Sequence, residues 1–147
     1  MAKHLICEFD GGSRGNPGPA GFGVVVRDDR DVDTPIITAG RFIGVATNNV
    51  AEYRGLIFAL EQARDLGADQ VTIRGDSELV IKQMKGQYRV KNAGLKPLYE
   101  QAQKIFAEIK AAGRITLEHN LRDQNKLADK LANLAMDRRV EVNDVLD

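Results

Sequence analysis

Four carboxylates carry the chemistry this sequence offers: Asp10 in HLICEFD, Glu52 in TNNVAE, Asp76 in IRGD and Asp129 in NKLAD. Each has an ordinary explanation. Asp10 closes an alternating apolar stretch before a glycine-rich turn, as the polar end of a strand does. Glu52 lies three residues after Asn49, the spacing of a capping box. Asp76, or its neighbour Ser77, suits the cap of the next helix. Asp129 falls early in the final helix, where the helix dipole favours an acid. Taken as a set they read differently. All stand at strand ends or in first helical turns, and such ends converge on the sheet edge where open α/β folds bind ligands. Acids packed together repel and raise one another's pKa. Mg²⁺ relieves this, because it takes oxygen ligands and keeps waters that a phosphate group can replace. Two such ions about 3.5–4 Å apart activate a water and stabilise the leaving oxygen of a phosphodiester. With two histidines and one cysteine in the chain, zinc is a poor candidate.

The elements that must position these acids follow from periodicity. Leu5, Cys7 and Phe9 alternate with Ile6, Glu8 and Asp10, which reads as a strand over 4–10. The turn GGSRGNPGPA leads to a second strand, GFGVVVRD, and a polar turn leads to a third, PIITAGRFIGVA. Short connections make these three an antiparallel meander. From Asn49 to Leu66 the apolar residues Val50, Tyr53, Leu56, Ile57, Leu60 and Ala63 recur at helical spacing. DQVTIRGD is a short strand, SELVIKQMKG a helix, YRVKNAG a loop, LKPLYEQAQKIFAEIKAAG a helix, RITLEHN a strand and NKLADKLANLAMDRR a closing helix. The order is βββαβααβα. Helical crossovers after the third and fourth strands require parallel pairing there. The expectation is a mixed five-stranded sheet flanked by helices.

Composition bounds the class. At 147 residues, 43% hydrophobic and 29% charged, the chain reads as a single soluble domain, with about 138–147 as a short tail. The lone Cys7 excludes an internal disulfide and suits a reducing, cytoplasmic setting. The start MAKHLICEFD reads as neither a signal peptide nor a membrane span. Net charge is zero, so a basic field over the whole chain is excluded. A local field is present: Lys82, Lys85, Arg89, Lys91, Lys96 and Lys104 face only Glu100 between Leu79 and Lys104. Nothing in the sequence requires more than a monomer.

DGGSRGNPGPAG, TNNVAEYRGLI, GDSELV and NKLADKLAN, in this order and on these elements, resemble type 1 ribonuclease H. The likeness covers nearly the whole chain, and its nearest form is the short archaeal and bacterial branch that lacks a basic insertion after the second helix. The resemblance implies the α/β ribonuclease H-like fold. It implies a metal-dependent endonuclease that cuts the RNA strand of RNA–DNA hybrids, leaving 3′-hydroxyl and 5′-phosphate ends. Its carboxylates would be Asp10, Glu52, Asp76 and Asp129, holding two Mg²⁺ ions, with Mn²⁺ as the alternative. Gly11, Gly12 and Ser13 match positions where backbone approaches the RNA strand. Asn16, Asn48 and Asn49 match contacts to the hybrid's minor groove, and Thr47 matches a DNA-phosphate contact. Arg122 falls where the short branch has an arginine in place of a mobile histidine, and is assigned phosphate binding. His119 is read as a strand residue. Glu78 stands where better-studied relatives have glutamine, an unfavourable charge near phosphates unless it points away. A looser nuclease that also cuts double-stranded RNA, and a binding module without catalysis, are the alternatives.

Overall fold

The computed structural model describes residues 3–144, apart from the side chain of Arg122. Five strands form one mixed sheet in the order β3-β2-β1-β4-β5. They are β1 (His4–Ser13), β2 (Gly18–Asp28), β3 (Ile37–Ala46), β4 (Gln70–Gly75) and β5 (Arg114–His119). The first three form the antiparallel meander, and β4 pairs parallel to β1 and to β5. The helices are α1 (Asn48–Asp65), α2 (Glu78–Met84), α3 (Lys96–Ala112) and α4 (Lys126–Arg138), with a 3-10 turn at Arg122–Gln124. Element order and pairing are those that the periodicity and the crossover rule require.

Strand alternation divides the molecule into two layers around the sheet. Leu5, Cys7, Phe9, Val24 and Val26 point to one face and pack with Tyr53, Leu56 and Leu60 of α1 and Ala102, Ile105 and Ile109 of α3. Val25 points to the other face, against Ala128, Leu131 and Ala135 of α4. These side chains are almost entirely withdrawn from water, each large one contributing about 1.5–3 kcal/mol of burial. Cys7 is a free, buried thiol in the first layer. Burial pushes its pKa up to about 12, so it is an inert packing residue.

Two sequence expectations about local structure are corrected. Strand β1 does not end at Asp10; it continues to Ser13, because β2 keeps pairing with it as far as Ser13 opposite Ala20. What ends beside Asp10 is the parallel ladder to β4, whose last pair is Phe9 with Gly75. Asp10 and Asp76 are therefore the next residues beyond that ladder on neighbouring strands. The second correction concerns α1. Its cap is Thr47, whose side chain accepts from the Val50 N–H at 3.2 Å, and Asn49 lies inside the helix. Glu52 is thus released from any capping box.

The tail after α4 does not hang free over the described residues. Val142 is buried against Val25, Ala128 and Leu131. Its N–H donates to the Gly40 carbonyl at 2.8 Å, so the tail covers part of the outer edge of β3. An edge strand covered in this way presents fewer unpaired groups to other chains.

Candidate active site

The four carboxylates line one open cleft of about 550 Å³ at the edge where β1 and β4 stop pairing. Oxygens of Asp10, Glu52 and Asp76 lie within 4.8 Å of one another. Asp129 shares the cleft and lies near enough to Asp10 to raise its pKa. Asp10 and Glu52 are only 7% and 8% exposed, which is uncommon for acids.

Two glycines make this convergence possible. A Cβ on Gly11 would lie 2.4 Å from the Ala51 carbonyl carbon and 2.5 Å from the Glu52 nitrogen. The first turns of α1 therefore press directly onto β1, which carries Glu52 to Asp10. On the other face, a Cβ on Gly23, the register partner of Asp10, would lie 2.0 Å from the Ala128 carbonyl oxygen. That gap admits α4 and with it Asp129. The glycine at 11 was expected to clear backbone for a ligand; its space is taken by a helix. At Gly12 a Cβ would make only ordinary contacts, 3.8 Å from Asn48 Oδ1 and from Met136 Cε.

The helix caps are supplied by residues other than the four acids. Ser77 caps α2, its Oγ accepting from the Val80 N–H at 3.2 Å, so Asp76 is not the cap. At α4 the cap position is Asn125, a residue the sequence reading passed over although it opens the NKLAD stretch. Asn125 is buried, and its Nδ2 donates to the Phe9 carbonyl at 2.8 Å. Its own carbonyl accepts from the Asp129 N–H at 3.0 Å. One side chain thus ties the residue before Asp10 to the helical turn that carries Asp129.

Electrostatics follow from this packing. The Asp10 pKa is pushed up to about 10, first by burial, then by the charge of Glu52, the hydrogen bond with Asp129 and the charges of Asp76 and Asp129. No cation enters this list. The donor set is all oxygen and closely spaced, which fits hard divalent cations and not a softer metal.

The remaining predicted residues fall around the same cleft. Gly11, Gly12, Ser13, Asn48 and Asn49 line it, together with Arg14, His119, Asn120 and Leu121. Thr47 and Asn16 stand exposed just outside it. The Ser13 N–H donates to Asn48 Oδ1 at 2.8 Å, and the Asn48 N–H donates to Asn16 Oδ1 at 3.1 Å. Arg14, not anticipated, anchors the turn to α4 by donating to Asp137 at 2.6 Å. His119 lies at the end of β5 with Nε2 at 3.2 Å from the Asp76 carbonyl oxygen, so this strand residue borders the site. The predicted role of Arg122 concerns a side chain outside the described residues. Glu78 turns away: its carboxylate accepts from Lys82 at 2.8 Å and from Tyr88 at 3.3 Å, and these bonds lower its pKa.

With this geometry in place, comparison with known proteins is informative. A family profile described as Reverse transcriptase-like matches residues 8–135. The structure of RNase H1 from the archaeon Halobacterium salinarum superposes with a TM-score of 0.83 at 40% identity, covering 92% of this chain and 98% of that one. The chain belongs to the type 1 ribonuclease H family. Another ribonuclease H, LC11-RNase H1 solved in complex with an RNA/DNA hybrid, superposes at 0.79 with 40% identity over 92% of this chain and 98% of that one. The Bifunctional protein Rv2228c of Mycobacterium tuberculosis is 49% identical over 133 residues, 90% of this chain. That match takes in 35% of Rv2228c, so the chain spans about a third of the length of this mycobacterial relative. Ribonuclease H membership and the carboxylate cluster point the same way, to metal-dependent chemistry. Among the described residues no helix is long and apolar enough to cross a membrane.

Proposed function

We propose that this ribonuclease H domain hydrolyses the RNA strand of RNA–DNA hybrids internally, leaving 3′-hydroxyl and 5′-phosphate ends. The observation that carries the reading is the cluster of Asp10, Glu52 and Asp76, with Asp129 beside them in one open cleft. An open cleft accepts the middle of a strand, as an endonuclease requires.

These four residues would hold two divalent cations, Mg²⁺ by preference for oxygen ligands and Mn²⁺ as the alternative. When bound, such ions supply an activated water and stabilisation of the leaving oxygen. The chain's own groups do the rest. Glu52, brought in by the close approach at Gly11, would meet a ribose 2′-hydroxyl beside the scissile phosphate in this reading. Reading that hydroxyl separates RNA from DNA. Thr47 Oγ already accepts the Val50 N–H, which leaves its hydroxyl proton for a phosphate of the DNA strand. Gly11, Gly12 and Ser13 would bring backbone close to the RNA strand, and Asn16, Asn48 and Asn49 would offer amides along the groove. Arg122 stays assigned, by residue type, to phosphate binding.

A second contact lies past α2, which leads from Asp76 to the loop at 85–95. Lys85, Arg89 and Lys91 there are exposed and form no ion pair among the described residues, whereas Lys82 is engaged by Glu78. Exposed, unpaired cations suit a phosphate backbone. The domain acts as a monomer in a reducing, cytoplasmic setting in this reading, which the free Cys7 suits.

Cleavage of one labelled RNA strand, paired with DNA or with RNA, in Mg²⁺ or EDTA, tests the reading. Metal-dependent cutting of the hybrid alone, lost in Asp10→Asn, is the expected result. Equal cutting of both duplexes would make this the looser nuclease. Binding without cutting would leave only a binding module.

A further inference from the structure

Gln83 of α2 is a polar side chain only 4% exposed, and both ends of its amide are engaged. A carbonyl only accepts, so the atom that meets the Arg89 carbonyl at 3.2 Å is Nε2. That sets Oε1 toward the Tyr53 hydroxyl, which donates to it at 2.6 Å. Tyr53 is itself fully buried, and burial pushes its pKa up, so the hydroxyl stays a donor. In α1 it directly follows Glu52. Two hydrogen bonds thus lead from the helix that carries Glu52, through α2, to the backbone of the basic loop. The neighbouring stretches are held by other means. Gln103 of α3 donates to the Met84 carbonyl at 2.9 Å, and the Lys82 carbonyl accepts from the Gln87 and Tyr88 N–H groups. Val90 packs against the core, and Asn92 Oδ1 accepts from the Gly94 N–H at 2.7 Å. Between these anchors, the Arg89 peptide is the one that Gln83 holds.

We propose that Gln83 is a positioning residue for hybrid binding, which fixes the Arg89 backbone, and so the root of an exposed cation, relative to the carboxylate cleft. The inference rests on the reading above in which the basic loop meets the hybrid's phosphate backbone. A cation on a free loop gives up backbone and rotamer freedom when it takes a phosphate. On a tethered backbone, part of that freedom is already spent on folding. The tether acts on affinity and not on the chemistry, since neither Gln83 nor Tyr53 lines the carboxylate cleft.

KM and kcat for hybrid cleavage in Mg²⁺, measured at several salt concentrations, test this on wild type, Gln83→Met, Arg89→Ala and the double variant. Gln83→Met nearly keeps the volume and removes the donor to the Arg89 carbonyl. It is expected to raise KM several-fold and to reduce the slope of log KM against log salt by about 1, as loss of one phosphate contact does. Its kcat should stay near the wild-type value. In the Arg89→Ala background the same change should add nothing, because the group it positions is gone. Should Gln83→Met fail to fold, Tyr53→Phe carries the test. It loses one hydroxyl, leaves the Gln83 amide free to turn, and should raise KM by a smaller factor that again vanishes without Arg89. Arg89→Ala changing KM and slope while the variant at 83 (or 53) leaves both unmoved overturns the inference and keeps the basic-loop contact. An equal effect in both backgrounds, or a fall in kcat in place of a rise in KM, also overturns it, because a purely structural role gives that. Arg89→Ala with an unchanged slope overturns the basic-loop reading, and this inference with it. Wild-type chain that cuts no hybrid overturns the hydrolase reading itself.

Discussion

Glu8 and Asp10 stand two residues apart on the same face of β1, and their surroundings are opposite. Glu8 accepts from Arg27 at 2.9 Å in a half-buried pair, the ordinary way to keep an acid in a protein interior. Asp10 is just as withdrawn, but its neighbours are Glu52, Asp76 and Asp129. One acid stabilises the fold by its pairing. The other is held against repulsion by the packing of α1 at Gly11 and α4 at Gly23. The fold pairs Glu8 with a cation and surrounds Asp10 with acids, and oxygens gathered in this way suit a divalent cation.

Neutralising each acid in turn should break the comparison most sharply. Asp10→Asn is expected to reduce hybrid cleavage by about 10³-fold or more, since it removes a group acting directly on the reacting centre. The same change should raise metal-free stability by about 1–3 kcal/mol near neutral pH, because an amide sits among the other acids without the proton that Asp10 must take up on folding. Glu8→Gln should have the opposite signature. It leaves Arg27 half-buried without its carboxylate and costs about 1–3 kcal/mol, with catalysis in Mg²⁺ retained. Thermal melts in EDTA beside initial rates in Mg²⁺ check both. Two variants shifting stability in the same direction would erase the distinction.

The tie between the two carboxylate-bearing elements offers the next test. Asn125→Ala breaks the bond to the Phe9 carbonyl. The expected outcome is about 10–100-fold weaker activity or metal affinity. Rescue of the rate by raised Mg²⁺ would show that the loss lies in the carboxylate geometry. A loss of hybrid affinity at saturating Mg²⁺ would contradict this.

The pH dependence of the metal-free protein sharpens the comparison further. The folded-state pKa of Asp10 is raised from 3.8 to about 10. Between those values the folded chain holds a proton that the unfolded chain releases, so rising pH favours unfolding. The contribution of Asp10 is complete below about pH 4 and is lost as pH climbs through about 10. Melts in EDTA from pH 5 to 9 (about one unit apart) should fall relative to Asp10→Asn. Mg²⁺ should flatten that difference, because the bound ion replaces the proton. A wild-type slope equal to that of Asp10→Asn would remove Asp10 as its source.

Much of this site was legible in the chain, and what was not has a common cause. The four acids and the order of elements follow from local patterns, which the sequence displays directly. The cap of α1 was misplaced by two residues, because Thr47, Asn48 and Asn49 all suit a cap and only the backbone decides among them. Gly11 looked like turn chemistry, but its reason is the backbone of Ala51 and Glu52, forty residues away in the chain. Asn125 and Val142 act through partners more than a hundred residues distant, Phe9 and Gly40. Such long-range contacts leave no period or spacing to read. Glu78 was doubtful from sequence because its charge was visible and its partners Lys82 and Tyr88 were not.

The smallest expected effect concerns the region farthest in character from Asp10. At Asp10 the chain gathers acids; past α2 it leaves Lys85, Arg89 and Lys91 exposed, with no ion pair among the described residues. If the first region holds metal and the second holds phosphate, their variants must separate kinetically. Arg89→Ala should weaken hybrid binding uniformly across sequences and reduce the salt slope of log affinity by about 1. Turnover at saturating substrate should stay near the wild-type value, since no carboxylate is moved. Competition binding at several salt concentrations, beside kcat, reads both quantities. An unchanged slope would make this basic loop a solvated surface and move the hybrid's second contact elsewhere. A fall in kcat without a change in slope would mean instead that the loop acts on α2, and through it on Asp76.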